Sequence, residues 1–125
     1  MATALTDNLI HLVIERGWNR GDVEALDEAV ASGYVRHLSD GRTLRSRDEF
    51  KQHILATRAT MPDLKTDVHL SFTDGTHSAT TFTFAATAAG RPLRFEGAVV
   101  GRIEDGKLAE EWEYFDTAAI QAAYR

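Results

Sequence analysis

The residues best suited to chemistry lie near the C-terminus, in Glu110-Glu111-Trp112-Glu113-Tyr114-Phe115-Asp116. The segment reads as a β-strand, and a strand turns successive side chains to opposite faces. Glu110, Trp112, Tyr114 and Asp116 then share one face, with large aromatics set between carboxylates. Such a face suits the wall of a small-molecule pocket, which needs apolar surface and a few polar groups. A carboxylate held against aromatic rings has its pKa raised, which fits a general acid or base. Asp116 is the leading candidate for that role. It also precedes a terminal helix, where aspartate is a preferred N-cap.

His37 is the second catalytic candidate. It closes a short strand beside the Ser39-Asp40-Gly41 turn, and an imidazole titrates near neutrality. It reads either as a group that orients or protonates a substrate oxygen or as a polar strand end. Trp112 and Tyr114 read as stacking surfaces for a planar substrate or as core. Trp18, at the end of the first helix, is a pocket lid or a core residue. Phe82 and His53 are further candidates for the cavity wall, His53 through its place beside Phe50 and Thr57 on the third helix. Arg94, Glu96 and Arg102 share a strand face, as a salt-bridge ladder or as a displaced arginine–acid pair. His11, His69 and His77 have no assigned role. No histidine pair has His-x-x-x-His spacing, and there is no Gly-rich phosphate loop or nucleophile elbow. Neither a metal nor a cofactor is expected.

Several elements must position these groups. Apolar periodicity predicts a helix from Thr6, its cap, to Trp18, and a second from Val23 to Ala31 capped by Asp22. Tyr34 to Leu38 reads as a strand that returns through Asp40-Gly41 over Arg42 to Leu44. Ser46 and Glu49 have capping-box spacing for a helix running to Thr60, which Pro62 ends. Leu64 to Phe72 alternates, with Leu64, Thr66, Val68, Leu70 and Phe72 on one face. Strands follow over Ser78 to Thr87, Leu93 to Ile103 and Leu108 to Asp116, separated by turns at Asp74-Gly75, Ala89-Gly90 and Glu104-Asp105-Gly106. Thr117 to Tyr124 is a terminal helix. Helices segregated from an antiparallel meander predict an α+β fold.

Composition narrows the function. The 125 residues make one domain, 1–125, large enough for a core. A net charge of −5 argues against nucleic acid and anionic membrane as partners. There is no cysteine, which removes disulfides and thiolate chemistry. Met1-Ala2-Thr3-Ala4 lacks the basic and apolar regions of a secretory signal, so the cytoplasm is the expected location. Small or apolar residues on both faces of 78–87 and 95–101 suggest that a second copy covers the sheet, making a homodimer.

In element order and tail the chain resembles the NTF2-like superfamily, and within it the SnoaL-like polyketide cyclases. The resemblance rests on Asn19-Arg20-Gly21-Asp22, Tyr34-Val35-Arg36-His37 and Met61-Pro62-Asp63-Leu64, then on Gly90-Arg91, Arg102 to Lys107, and Glu111-Trp112 followed by Asp116. It implies a cone, a curved mostly antiparallel sheet wrapped by N-terminal helices around a central pocket. It also implies cofactor-free acid–base chemistry, with Asp116 at the position of the cyclase aspartate and His37 pointing into the pocket. The tail is similar to limonene-epoxide hydrolases too, but no arginine or acid stands anywhere from Ser78 to Ala89, where that branch carries two of its three catalytic groups. Ketosteroid isomerases offer a looser parallel through Tyr114 and Asp116.

The expected function is a small cofactor-free enzyme, an aldol-type cyclase or isomerase, in which Asp116 is the acid/base on a hydrophobic carbonyl-bearing molecule. The alternative is a non-catalytic ligand-binding or dimerisation module. The weaker alternative is epoxide opening by Asp116 with Glu96 and Arg94.

Overall fold

The computed structural model describes residues 9–124. The expected cap Thr6 lies outside them. Helix α1 (residues 9–18) ends in a π-wound turn over Val13–Trp18, closed by the Asn19 N–H donating to the Ile14 carbonyl at 2.9 Å. A 3-10 turn, Val23–Ala25, leads into the short α2, Leu26–Ala29. The strands are β1 Val30–His37, β2 Thr43–Leu44, β3 Lys65–Thr73, β4 His77–Ala88, β5 Arg91–Glu104 and β6 Lys107–Phe115. Helix α3, Arg47–Thr60, lies between β2 and β3, and α4, Ala118–Ala123, follows β6.

All six strands form one curved sheet in the order β2-β1-β6-β5-β4-β3. Only β1 and β6 pair in parallel, and the α+β expectation holds. The hairpin turns after β4 and β5 carry positive φ at both central residues: Ala89 53° and Gly90 76°, then Asp105 52° and Gly106 75°. That geometry matches the right-handed twist of the flanking strands, so the register runs on across each turn.

Helices cover the inner face of the sheet. Around α1, α2 and α3 the core holds Leu26, Ala29, Val30, Tyr34, Phe50 and Ile54, all fully buried. A second cluster, with Met61, Leu64, Phe82, Phe84 and Leu93, underlies α4. Ser46 caps α3 as expected, its Oγ accepting from the Glu49 N–H at 3.0 Å, while the Glu49 carboxylate accepts from the Arg45 N–H.

Two boundaries differ from the sequence reading. Helix α2 stops at Ala29, because Val30 enters the sheet beside Leu108 and is fully buried there. The β1–β6 register then shifts before Val35, leaving Ser32 and Gly33 exposed. In β3 the alternation breaks. Val68 pairs with Phe82 but Leu70 pairs with Thr81, so an irregularity at His69 turns Leu70 and Phe72 to the outer face, 55% and 63% exposed.

That outer face carries two cross-strand rows. One runs Leu70, Thr81, Ala98, Tyr114, and the other Phe72, Ala79, Val100, Trp112, His37. Charged rows flank them, with Arg102 and Glu110 on one side and Glu96 on the other.

Candidate functional site

A cavity of about 560 Å³ lies between the inner face of the sheet and α1, α3 and α4. One end is apolar: Phe84 stacks on Phe95 at 4.9 Å and Phe95 on Phe115 at 4.5 Å, with Phe82, Val99, Met61 and Ile120 around them. Towards the other end the wall carries Arg36, Ser39, Asp40, Arg42, His53 and Glu113. The aromatic part arises from alternation on β4, β5 and β6. The polar part comes from the end of β1, the turn after it, one face of α3 and one residue of β6.

The register of β6 against β5 decides which tail residues reach this space. Glu113 is opposite Val99 and Phe115 is opposite Gly97, and these point inward with Glu111. Trp112 and Tyr114 sit opposite Val100 and Ala98 on the outer face. The face that was expected to line the pocket is therefore the outer one. A one-residue offset exchanges every side chain of a strand between faces. The inner set wins because β1 supplies a partner for its carboxylates.

That partner is Arg36. Its side chain is 6% exposed, and its Nη1 donates to Glu111 Oε1 at 3.1 Å and to the Tyr34 hydroxyl at 3.0 Å. Nε and Nη2 both donate to Glu113 Oε1, at 3.2 and 3.1 Å. The Tyr34 hydroxyl in turn donates to Glu111 Oε1 at 2.6 Å, and the guanidinium lies 4.8 Å above the Phe50 ring. Burial works against the charge on Arg36, but Tyr34, Glu113 and Glu111 outweigh it, and the group stays protonated. Burial pushes Glu111 above the usual carboxylate range.

Ser39 stitches β1 to β6 where the ladder ends. Its Oγ donates to the Glu113 carbonyl and accepts from the Phe115 N–H, both at 3.0 Å, and its own N–H donates to Glu113 Oε2 at 3.1 Å.

The candidates separate. Asp116 is exposed, does not line the cavity, and its Oδ1 accepts from the Ala118 N–H at 2.9 Å at the start of α4. His37 is on the outer face, donating from Nε2 to Glu110 Oε2 at 2.7 Å, with its ring stacked 5.2 Å from Trp112. Asp116 and His37 therefore do not meet in one pocket. Tyr114 is 59% exposed. Trp18, Phe82 and His53 do line the cavity. Arg94 and Glu96 are exposed on the outer face, paired with Ala85 and Thr83, and do not converge with Asp116 on a common water.

His53 has the most informative setting. Its ring stands edge-on to Trp18 at 5.8 Å and 87°. Burial, and after it the Arg36 charge, hold it below the usual imidazole range, while Glu113 acts in the opposite sense. Trp18 is fixed from several sides. Arg58 Nη1 donates to its carbonyl at 2.8 Å, and the next residue, Asn19, pairs its amide with both the N–H and the carbonyl of Thr66.

Arg36 and Glu113 escaped the sequence reading. Their signal was present: a Tyr-x-Arg pair on one strand faces a Glu-x-Glu pair on another, with the same period of two. Among the described residues no cluster of three His, Asp or Glu is arranged to hold a metal ion. None of their helices is long and apolar enough to cross a membrane.

An open sheet closed by helices over an amphipathic cavity defines an NTF2-like domain. A SnoaL-like polyketide cyclase family model matches residues 8–124, and the chain belongs to that family. Among solved structures it is similar to wild-type IdmH, a candidate polyketide cyclase from Streptomyces antibioticus, with 25% identity, TM-score 0.82, and 95% of this chain and 97% of that one covered. A candidate polyketide cyclase from Xanthomonas campestris pv. campestris shares the fold at TM-score 0.87 and 17% identity over 100% of both chains. An LEH-like epoxide hydrolase of M. tuberculosis shares it at TM-score 0.81 and 16% identity, covering 97% of this chain and 90% of that one. No curated protein sequence matches.

Proposed function

We propose that the protein is a small acid–base enzyme that acts, without a cofactor, on a hydrophobic carbonyl-bearing molecule as a cyclase or isomerase. The observation that carries this reading is His53, held towards its neutral form on the wall of a cavity whose far end is aromatic. A neutral imidazole is a base at physiological pH. The apolar body of the substrate packs on Phe84, Phe95 and Phe115, and its carbonyl lies at the polar end. His53 takes the proton from the carbon next to the carbonyl, and Glu113 and Asp40 favour the imidazolium that results. The role assigned to Asp116 from the sequence passes to His53, because Asp116 is exposed and its carboxylate accepts from the Ala118 N–H ahead of α4. Membership of the cyclase family supports the reaction class.

The test is deuterium exchange at the α-carbon of 2-tetralone, a bicyclic ketone, followed by NMR. Wild-type protein should accelerate exchange, and His53→Gln should lower the rate by about 10²- to 10⁴-fold. Asp116→Asn should leave it unchanged. The opposite pattern, loss in Asp116→Asn alone, would return the role to Asp116.

A second reading is ligand binding without chemistry. The exposure of Asp116 favours it, and it predicts saturable binding of the ketone with no exchange. In either reading we propose a homodimer formed through the outer face of the sheet. The two uncharged rows there, closed off by charged ones, are the pattern of a self-complementary patch.

A further inference from the structure

We infer that Arg36 supplies the hydrogen-bond donor for the ligand oxygen that gains negative charge in this cavity. A guanidinium carries five N–H groups in a rigid plane. Within the protein Nε and Nη2 each give one to Glu113, and Nη1 serves Tyr34 and Glu111, whose oxygens lie only 2.6 Å apart. The second N–H of Nη2 has no acceptor among the described residues. The side chain is nevertheless almost fully buried, and it lies on the cavity wall. A buried donor without a partner is destabilising, and a ligand oxygen that meets it recovers that loss.

The geometry is fixed before any ligand arrives. Both glutamates, the Tyr34 hydroxyl and the Phe50 ring hold the guanidinium plane, so the free N–H need not reorganise as charge develops.

The surroundings also select the ligand: a carboxylate or phosphate would bring further negative charge beside Glu111 and Glu113. The fitting group is one oxygen on an apolar frame, an enolisable ketone or a phenol. In the reaction proposed above, His53 takes the α-proton and the C–H pair becomes the new C=C bond. The carbonyl π pair moves onto oxygen, where Arg36 meets it. The mechanistic part rests on that reading of His53, but the test reads binding alone.

The probe is 7-hydroxycoumarin, whose phenol and phenolate differ in absorbance. Bound to wild-type protein it should ionise at a pH about one unit lower than free dye, equivalent to about tenfold tighter binding of the phenolate. The double variant Arg36→Met/Glu111→Gln removes the charge together with its deepest partner, and in it the bound dye should ionise at or above the free value. If that variant does not fold, the wild type still decides: an Arg36 Nη2 proton should move downfield in NMR as dye is added. A bound dye that ionises at or above the free value in the wild type overturns the inference, as does an unmoved Arg36 signal or a dye that does not bind. A lowered dye pKa without ketone exchange upholds Arg36 and refutes the enzymatic reading, and exchange without a lowered dye pKa does the reverse.

Discussion

At the scale of single residues, His53 sets the pH behaviour. Its folded pKa lies below the value of about 6.5 for a free imidazole. The unfolded chain therefore binds more protons than the folded one as pH falls through that range. Stability should decline from about pH 6.5 downward and level off once the folded group is also protonated. Urea melts of wild type and His53→Gln across pH 5 to 8 check this, the variant losing that part of the pH dependence. Activity should fall on the acid side with a midpoint below about 6.5. A midpoint above it would remove His53 as the base. Phe82 and His53 were legible as candidates for the cavity wall, from an aromatic strand position and a helix face, while Trp18 stayed open between lid and core. Asp116 and His37 were not. Their placement turns on the facing of β6, which depends on a guanidinium brought in from β1, more than seventy residues away in sequence.

At the scale of elements, the packing of β5 against its neighbours depends on where it lacks a side chain. A Cβ on Gly97 would stand 2.7 Å from Phe82 Cζ and 2.8 Å from the Tyr114 carbonyl. The carbonyl belongs to the β6 ladder and has little freedom to retreat. Gly97→Ala should destabilise by about 1–3 kcal/mol, read as a lower Tm and urea midpoint, and should weaken ligand binding by displacing Phe82. The turns were easy to read, because Ala89-Gly90 and Asp105-Gly106 announce tight hairpins, and most strand ends fell within two residues. The irregularity at His69 was not visible. Its ring bonds to the Thr83 hydroxyl on the neighbouring strand, a contact that exists only after β3 and β4 pair. The start of β1 was hidden in the same way, since Val30 suits a helix face as well as a strand and pairing with Leu108 decides.

For the whole molecule, the two uncharged rows on the sheet are the feature to test. Sedimentation of wild-type protein should show a dimer, and Phe72→Asp should shift it towards monomer while far-UV circular dichroism is unchanged. A monomeric wild type at micromolar concentration would end that proposal. One consequence follows from Ser39. Between Glu113 and Phe115 the backbone of β6 has no strand partner on that side, and a single hydroxyl both donates to the one and accepts from the other. The seam between the first and last strands is thus fastened at its end by the hydroxyl and the N–H of one residue, which also forms part of the cavity wall. That corner of the cavity is therefore bounded by the sheet's own seam, which side-chain atoms as well as backbone atoms hold together.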